Sequence, residues 1–171
     1  LTAIDIMTAV ALRIPFDIIV QLFGGGSNGK GVFEKVLLAL FTTERSTALS
    51  LDELKRSRFG AGALFDVDLW IISEVEGVKD AISALKKVAT GEFSDSDTKY
   101  GGRKKGRPHA VPILDSNHAF DYGDDSYGRK RRTARLDFCY TFGDEPGMRP
   151  IDRHLEDKLT QPEVLAGITQ I

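Results

Sequence analysis

The sequence predicts an α/β fold in which a parallel sheet flanked by helices is built around a phosphate-binding loop. Two observations predict it. Short β-branched apolar runs alternate along the chain with stretches of helical period, the pattern of a parallel sheet. The first of those runs empties into three glycines, and a helix follows at once.

Apolar side chains at Ile4, Met7, Ala11 and Leu12 set a helical period over residues 2–12, which Pro15 stops. Residues 18–23 form a β-branched run fit for a buried strand. From Lys30 to Phe41 apolar residues recur at Val32, Phe33, Val36, Leu37 and Leu40, so a helix begins where the glycine loop ends. Residues 51–58 read as a short helix, 69–73 as a second buried strand that ends on Glu74, and 78–88 as another helix. The segment 91–108, rich in Gly, Ser, Asp and Lys, reads as a polar hairpin or long loop. Residues 110–114 resume an apolar strand that runs out at Asp115, Ser116 and Asn117. Residues 121–130 are loop by composition, 136–142 read as a further strand, and 151–171 as one or two helices.

With 171 residues and 42% hydrophobic composition, the chain suffices for one domain with a real core and is too short for two ordinary ones. Residues 1–171 are therefore read as one domain, and the start at Leu1 rather than Met as that of a piece of a longer protein. No apolar run reaches the roughly 18 residues that span a bilayer, and no basic start with a small-residue cleavage site marks a signal peptide. The expectation is an intracellular, cytoplasmic protein with no membrane partner. The single cysteine, Cys139, excludes an internal disulfide and a multi-cysteine zinc cluster. Its place in the apolar run LDFCYTF predicts a core role.

The net charge of −2 is unevenly spread. Residues 99–107 hold five basic side chains and residues 129–135 five more, with no acid in either, which leaves −12 on the rest of the chain. Such runs are either solvated loops or patches for a nucleic acid, which meets local clusters of Lys and Arg rather than the average charge.

Residues 24–31 read GGGSNGKG and meet the phosphate-loop pattern GxxxxGK[ST] through Gly24, Gly29 and Lys30. At the last position Gly31 stands where Ser or Thr offers a hydroxyl to magnesium. Successive backbone N–H groups can wrap phosphates where no side chain obstructs them, and the helix dipole and Lys30 supply positive charge. Gly24, Gly25, Gly26, Ser27, Asn28, Gly29, Lys30 and Gly31 are thus the candidate nucleotide-binding residues, with ATP and Mg2+ the expected ligands. Glu74, at a strand end beside such a loop, is placed to polarise an attacking water and to serve the metal, and Glu76 is a second candidate. Asn117 ends the third apolar strand, where a neutral amide can hold the lytic water or the γ-phosphate.

The order of these pieces resembles superfamily 3 helicases, within the AAA+ ATPases, and especially the phage, plasmid and poxvirus-type primase-helicases. The matching pieces are GGGSNGKGVF for the A motif, LWIISEVEG for the B motif, LKKVATGEFSDSDTKY for the superfamily's own motif and VPILDSN for the C motif. The resemblance spans about residue 16 to 171 and implies a P-loop NTPase fold with a basic hairpin between the B and C motifs. It implies that Lys99, Arg103, Lys104, Lys105 and Arg107 grip single-stranded DNA in the channel of a hexameric ring. It also places an arginine finger in RKRRTARLDF, with Arg131 and Arg132 ahead of Arg135 and Arg129. The implied function is that of an ATP-driven replicative helicase at a replication fork, with a fused or associated primase as a possible partner. Two departures stand out: Gly31 lacks the hydroxyl, and Ser73 occupies the first acidic position of a fuller B motif. A degenerate nucleotide-binding module that assembles or loads a partner, and a small-molecule phosphotransferase, are the alternatives.

Overall fold

A computed structural model of the chain describes residues 5–8, 17–41, 44–56, 61–73, 82–92, 94–98, 102–118 and 132–169, with the backbone alone at 55–56, 61, 82, 94–98 and 102–104. Five parallel strands form one sheet: β1 (Ile19–Phe23), β2 (Ser46–Thr47), β3 (Leu69–Ile72), β6 (Val111–Ser116) and β7 (Thr133–Asp137). A separate antiparallel pair, β4 (Ser94–Thr98) and β5 (Gly102–Gly106), makes the polar hairpin. The helices are α1 (Lys30–Phe41), α2 (Leu51–Arg56), α3 (Ile82–Ala89), α4 (Leu155–Leu159) and α5 (Pro162–Ile168), with a short 3-10 helix at Ala61–Leu64. The α/β class expected from the alternation is the fold observed.

Alternation along each strand divides the core between the two faces of the sheet. Ile19, Trp70, Ile72 and Leu114 pack with Leu51, Leu64, Leu85 and Val88 from α2, the 3-10 helix and α3. Val20, Leu22, Leu69, Ile71, Val111 and Ile113 pack with Leu37 and Phe41 of α1 and with Ile6, which lies in a helical stretch at residues 5–8. Trp70 is fully buried and donates its Nε1–H to the Leu49 carbonyl at 2.6 Å, so its truncation to alanine should cost about 3–5 kcal/mol. Ser50 and Glu53 close a reciprocal cap on α2: Glu53 N–H donates to Ser50 Oγ at 3.2 Å, and Ser50 N–H to Glu53 Oε2 at 2.9 Å.

The strand order β2-β3-β6-β1-β7 inserts β6 between β1 and β3. Val20 and Ile71 both align with Ile113, so the carboxyl ends of these three strands finish at one edge. At the opposite edge the buried Asp68 ties the strand starts together, accepting from Arg45 Nε at 2.5 Å and lying 3.0 Å from His109 Nε2.

Two expectations are corrected, and one strand was not anticipated. The last strand is Thr133–Asp137 rather than 136–142, because β7 is an edge strand whose half-exposed residues carry no apolar run to announce it. The apolar residues after Asp137 leave the sheet instead, and Phe138 packs on Phe33 of α1 with ring centroids 5.9 Å apart. Cys139 is exposed and has no core role. The two-residue edge strand β2 was too short to show in a pattern of apolar residues. Among the described residues no helix is long and apolar enough to cross a membrane.

Candidate functional site

At the carboxyl edge of the sheet the chain leaves β1 into the glycine loop and re-enters α1 at Lys30. Ligands of open α/β sheets bind at this edge, beside the strand where the order reverses. Backbone geometry explains the glycines. Gly24 has φ +156°, and a Cβ there would lie 2.3 Å from Asn28 Nδ2 and 2.6 Å from the Phe138 carbonyl oxygen. Gly29 sits at φ +90°, where side chains are strained, and Ser27 takes a left-handed φ of 54° between them. The loop is tied on two sides: Gly24 N–H donates to the Ser116 carbonyl at 3.3 Å, and Phe142 N–H donates to the Ser27 carbonyl at 2.7 Å.

α1 has no acidic residue in its first turn, so its N-terminal dipole stays uncompensated and suits an anion. Lys30 is 5% exposed, and its ammonium is fully engaged. Nζ donates to the carbonyls of Gly24 at 2.6 Å and Gly25 at 3.0 Å and to Asn117 Oδ1 at 3.0 Å, and lies 3.5 Å from Asp115 Oδ1. Asn28 adds a weak contact to the Lys30 N–H at 3.4 Å. The structure thus brings the loop carbonyls of Gly24 and Gly25 and the side chain of Asn117 together around Lys30.

Two further groups escaped sequence reasoning. Glu34 stands one turn beyond Lys30, and its carboxyl is pushed up to about 7, chiefly by burial, then by Asp115, against the lowering effect of Lys30. Its spacing of four from Lys30 was the available signal, because residues i and i+4 share a helix face. A cavity of about 340 Å³ opens beside Ser27 and Gly29, walled by Val32, Phe142, Pro150 and Ile151. Nothing local in the sequence announces it, because its wall comes from a segment more than a hundred residues away.

Gly31 lies in α1, and a Cβ there would meet nothing within 4 Å, so packing does not demand glycine at that position. Magnesium fits this site only in part. Ser73 is exposed at the end of β3, and among the described residues no group of three or more His, Cys, Asp or Glu could hold a metal ion. Glu74, Arg131 and Lys99 lie outside the described residues, as does Glu76.

Arg132 is not brought to the loop. Its carbonyl accepts the Ile19 N–H at 2.8 Å at the start of β7, and five residues, roughly 17 Å of strand, separate it from the loop edge. Its Nε is buried with no hydrogen-bond partner among the described residues. In the hairpin, the register sets Asp95 opposite Lys105, Ser96 opposite Lys104 and Asp97 opposite Arg103. Lys105 and Arg107 are exposed. The basic strand therefore faces an acidic one, and only Lys104 among its three cations has a neutral residue as its cross-strand neighbour.

A family model described as "Family of unknown function (DUF5906)" matches residues 22–132. No curated protein matches the chain. Among solved structures, the C-terminal region of NrS-1 in its apo A form superposes with a TM-score of 0.66 at 16% identity, covering 95% of this chain and 38% of that one. A structure of NrS-1 residues 305–718 gives 0.67 at 17% identity, covering 95% and 36%. The JCV helicase gives 0.53 at 20% identity, covering 98% and 45%. The chain spans less than half the length of each of these, and at such identities the likeness is one of fold. The helicase resemblance rests on that shared fold, since the family model carries no function.

Proposed function

The chain belongs to the DUF5906 family of unknown function, and from that premise we propose that it is the ATP-driven motor domain of a replicative DNA helicase of the superfamily 3 type. The observation that carries this reading is the 3.0 Å contact between Lys30 Nζ and Asn117 Oδ1. A lysine at a helix N-terminus and a neutral amide from the neighbouring strand meet at one sheet edge, which is what a nucleotide-hydrolysing site needs around a terminal phosphate. The fold likeness to the JCV helicase supports it.

Each residue then has a role. The loop amides from Gly25 to Gly31 wrap the phosphates, and Lys30 turns from its carbonyl partners to balance their charge. Asn117 orients the water or the γ-phosphate, and Glu74 polarises the water. The cavity walled by Val32, Phe142, Pro150 and Ile151 accepts the base and ribose. Ser73 or Glu74 would stand in the outer shell of a magnesium ion bound with the nucleotide, which keeps several waters and would supply charge neutralisation there. Arg131 and Arg132 serve the site of a neighbouring subunit, and the distance of Arg132 from its own loop supports service in trans. Lys99, Arg103, Lys104, Lys105 and Arg107 grip single-stranded DNA inside a ring, with six subunits the expected number and a primase the expected fused or associated partner.

Gly31 favours a second reading, a module that binds nucleotide to assemble or load a partner without turning it over. ATP hydrolysis with magnesium, with and without single-stranded DNA and across a range of protein concentrations, separates the two. Strong stimulation by DNA that steepens with protein concentration supports the motor; binding without hydrolysis at any concentration supports the module and sinks the motor.

A further inference from the structure

Glu34 occupies the same face of α1 as Lys30, one turn further from the loop. It is half-buried, and Oε1 is closed to solvent with no hydrogen-bond donor in reach among the described residues. The charged groups acting on it are Asp115 from the end of β6 and Lys30 from its own helix. Asp115 in turn lies 3.5 Å from Lys30 Nζ. Charged residues on the neighbouring elements are engaged elsewhere: Lys35 with Glu156 of α4, Lys158 with Asp152, and Arg153 with Asp144. The cluster beneath the loop therefore sets two carboxyls against one ammonium.

That balance holds only while Lys30 stays where it is. Lys30 Nζ is bound to the carbonyls of Gly24 and Gly25, and it must leave them to reach a phosphate. Its departure takes the compensating charge away from both carboxyls while a polyphosphate brings more negative charge. Like charges in a partly buried site cannot all stay ionised, and the carboxyl with one oxygen buried away from any donor is the one that takes a proton.

We propose that filling the phosphate loop loads a proton onto Glu34, so that nucleotide binding and proton uptake at this residue are a single event. The proposal rests on the reading of the loop as a nucleotide site. The step is a transfer from solvent to one carboxylate oxygen, with no other bond made or broken. Glu34 is then a positioning residue, acting on the nucleotide through the charge it lends or withholds from Lys30.

Since the carboxyl of the free protein titrates at about 7 and that of the filled site titrates higher, the window opens at about pH 7 and extends upward. Below it Glu34 carries its proton in both states and affinity is flat. Above it each pH unit weakens binding by up to about tenfold.

Isothermal titration of the protein with magnesium ADP at about pH 8, in two buffers of different ionisation enthalpy, reads the proton directly. The expected result is uptake of close to one proton by the wild type and none by Glu34→Gln, whose affinity stays flat where that of the wild type falls about tenfold. Any titration of the diphosphate itself is common to both proteins. Measurable binding with a buffer-independent enthalpy overturns the proposal and leaves the nucleotide site standing. Equal uptake by Glu34→Gln assigns the proton to another group and overturns it as well. No binding at any pH overturns the nucleotide reading together with it.

Discussion

Lys30 Nζ and Asn117 Oδ1 stand 3.0 Å apart, so the loop lysine is held by the end of the adjacent strand before any phosphate arrives. A partner that holds the ammonium competes with the ligand for it. Asn117→Asp is close to isosteric and converts this hydrogen bond into an ion pair beside the existing Asp115 contact. It should weaken nucleotide binding by about tenfold, whereas Asn117→Ala, which removes one of the ammonium's partners, should leave binding within about threefold and lower turnover. Equilibrium binding and ATPase rates on the two variants check this; equal losses of affinity would show that the contact does not compete.

Position 31 gives a second prediction. A Cβ there meets nothing within 4 Å, so Gly31→Ser adds a hydroxyl in open space and replaces glycine inside a helix. Helix propensity alone favours the change by roughly 0.5 kcal/mol. The melting temperature should hold or rise slightly, and the magnesium concentration for half-maximal hydrolysis should fall several-fold. A drop in melting temperature would mean that glycine is required there for a reason the packing does not show.

Apolar periodicity located β1, α1, β3 and β6, because their side chains pack the two faces of one sheet and alternate accordingly. The glycine loop was legible for a related reason: Gly24 and Gly29 occupy backbone positions and a close approach that side chains resist. β7 was misplaced because an edge strand with residues such as Arg135 and Asp137 needs no apolar pattern, while Phe138 after it packs on Phe33 of α1 instead. Glu34 and the Phe142 wall of the cavity were missed because their meaning lies in partners distant along the chain: Asp115 for the first and Ser27 for the second.

The hairpin separates its cations by register. Lys105 stands opposite Asp95 and Arg103 opposite Asp97, while Lys104 stands opposite Ser96. A cation with an acid as its cross-strand neighbour has less charge to offer a phosphate. Lys104→Ala should therefore reduce the slope of log affinity against log salt by about 0.7 for a single strand, and Lys105→Ala by less. The pair Asp95→Asn with Asp97→Asn should tighten binding and steepen the slope. Fluorescence anisotropy of a labelled oligonucleotide over a salt series reads all of these, and equal losses at positions 104 and 105 would dissolve the distinction.

Glu34 also leaves a mark on stability, independent of any ligand. Its folded-state carboxyl titrates at about 7, against an ordinary value of 4.5, with burial the largest cause and Asp115 the next. A raised carboxyl pKa means that the folded state binds the proton more tightly than the unfolded chain does. Below the unfolded value both states are protonated and the group contributes nothing to pH dependence. As pH rises from 4.5 the unfolded chain ionises first, and stability declines until the folded carboxyl ionises too, at about 7. Partial solvent access screens the effect, so the loss is of the order of 1–2 kcal/mol rather than the full value of the shift. Glu34→Gln removes the titrating group and should raise the melting temperature relative to wild type at about pH 8, with a smaller difference at about pH 5. Thermal denaturation of both proteins across that range tests it, and a constant offset between them would show that Glu34 acts through packing alone.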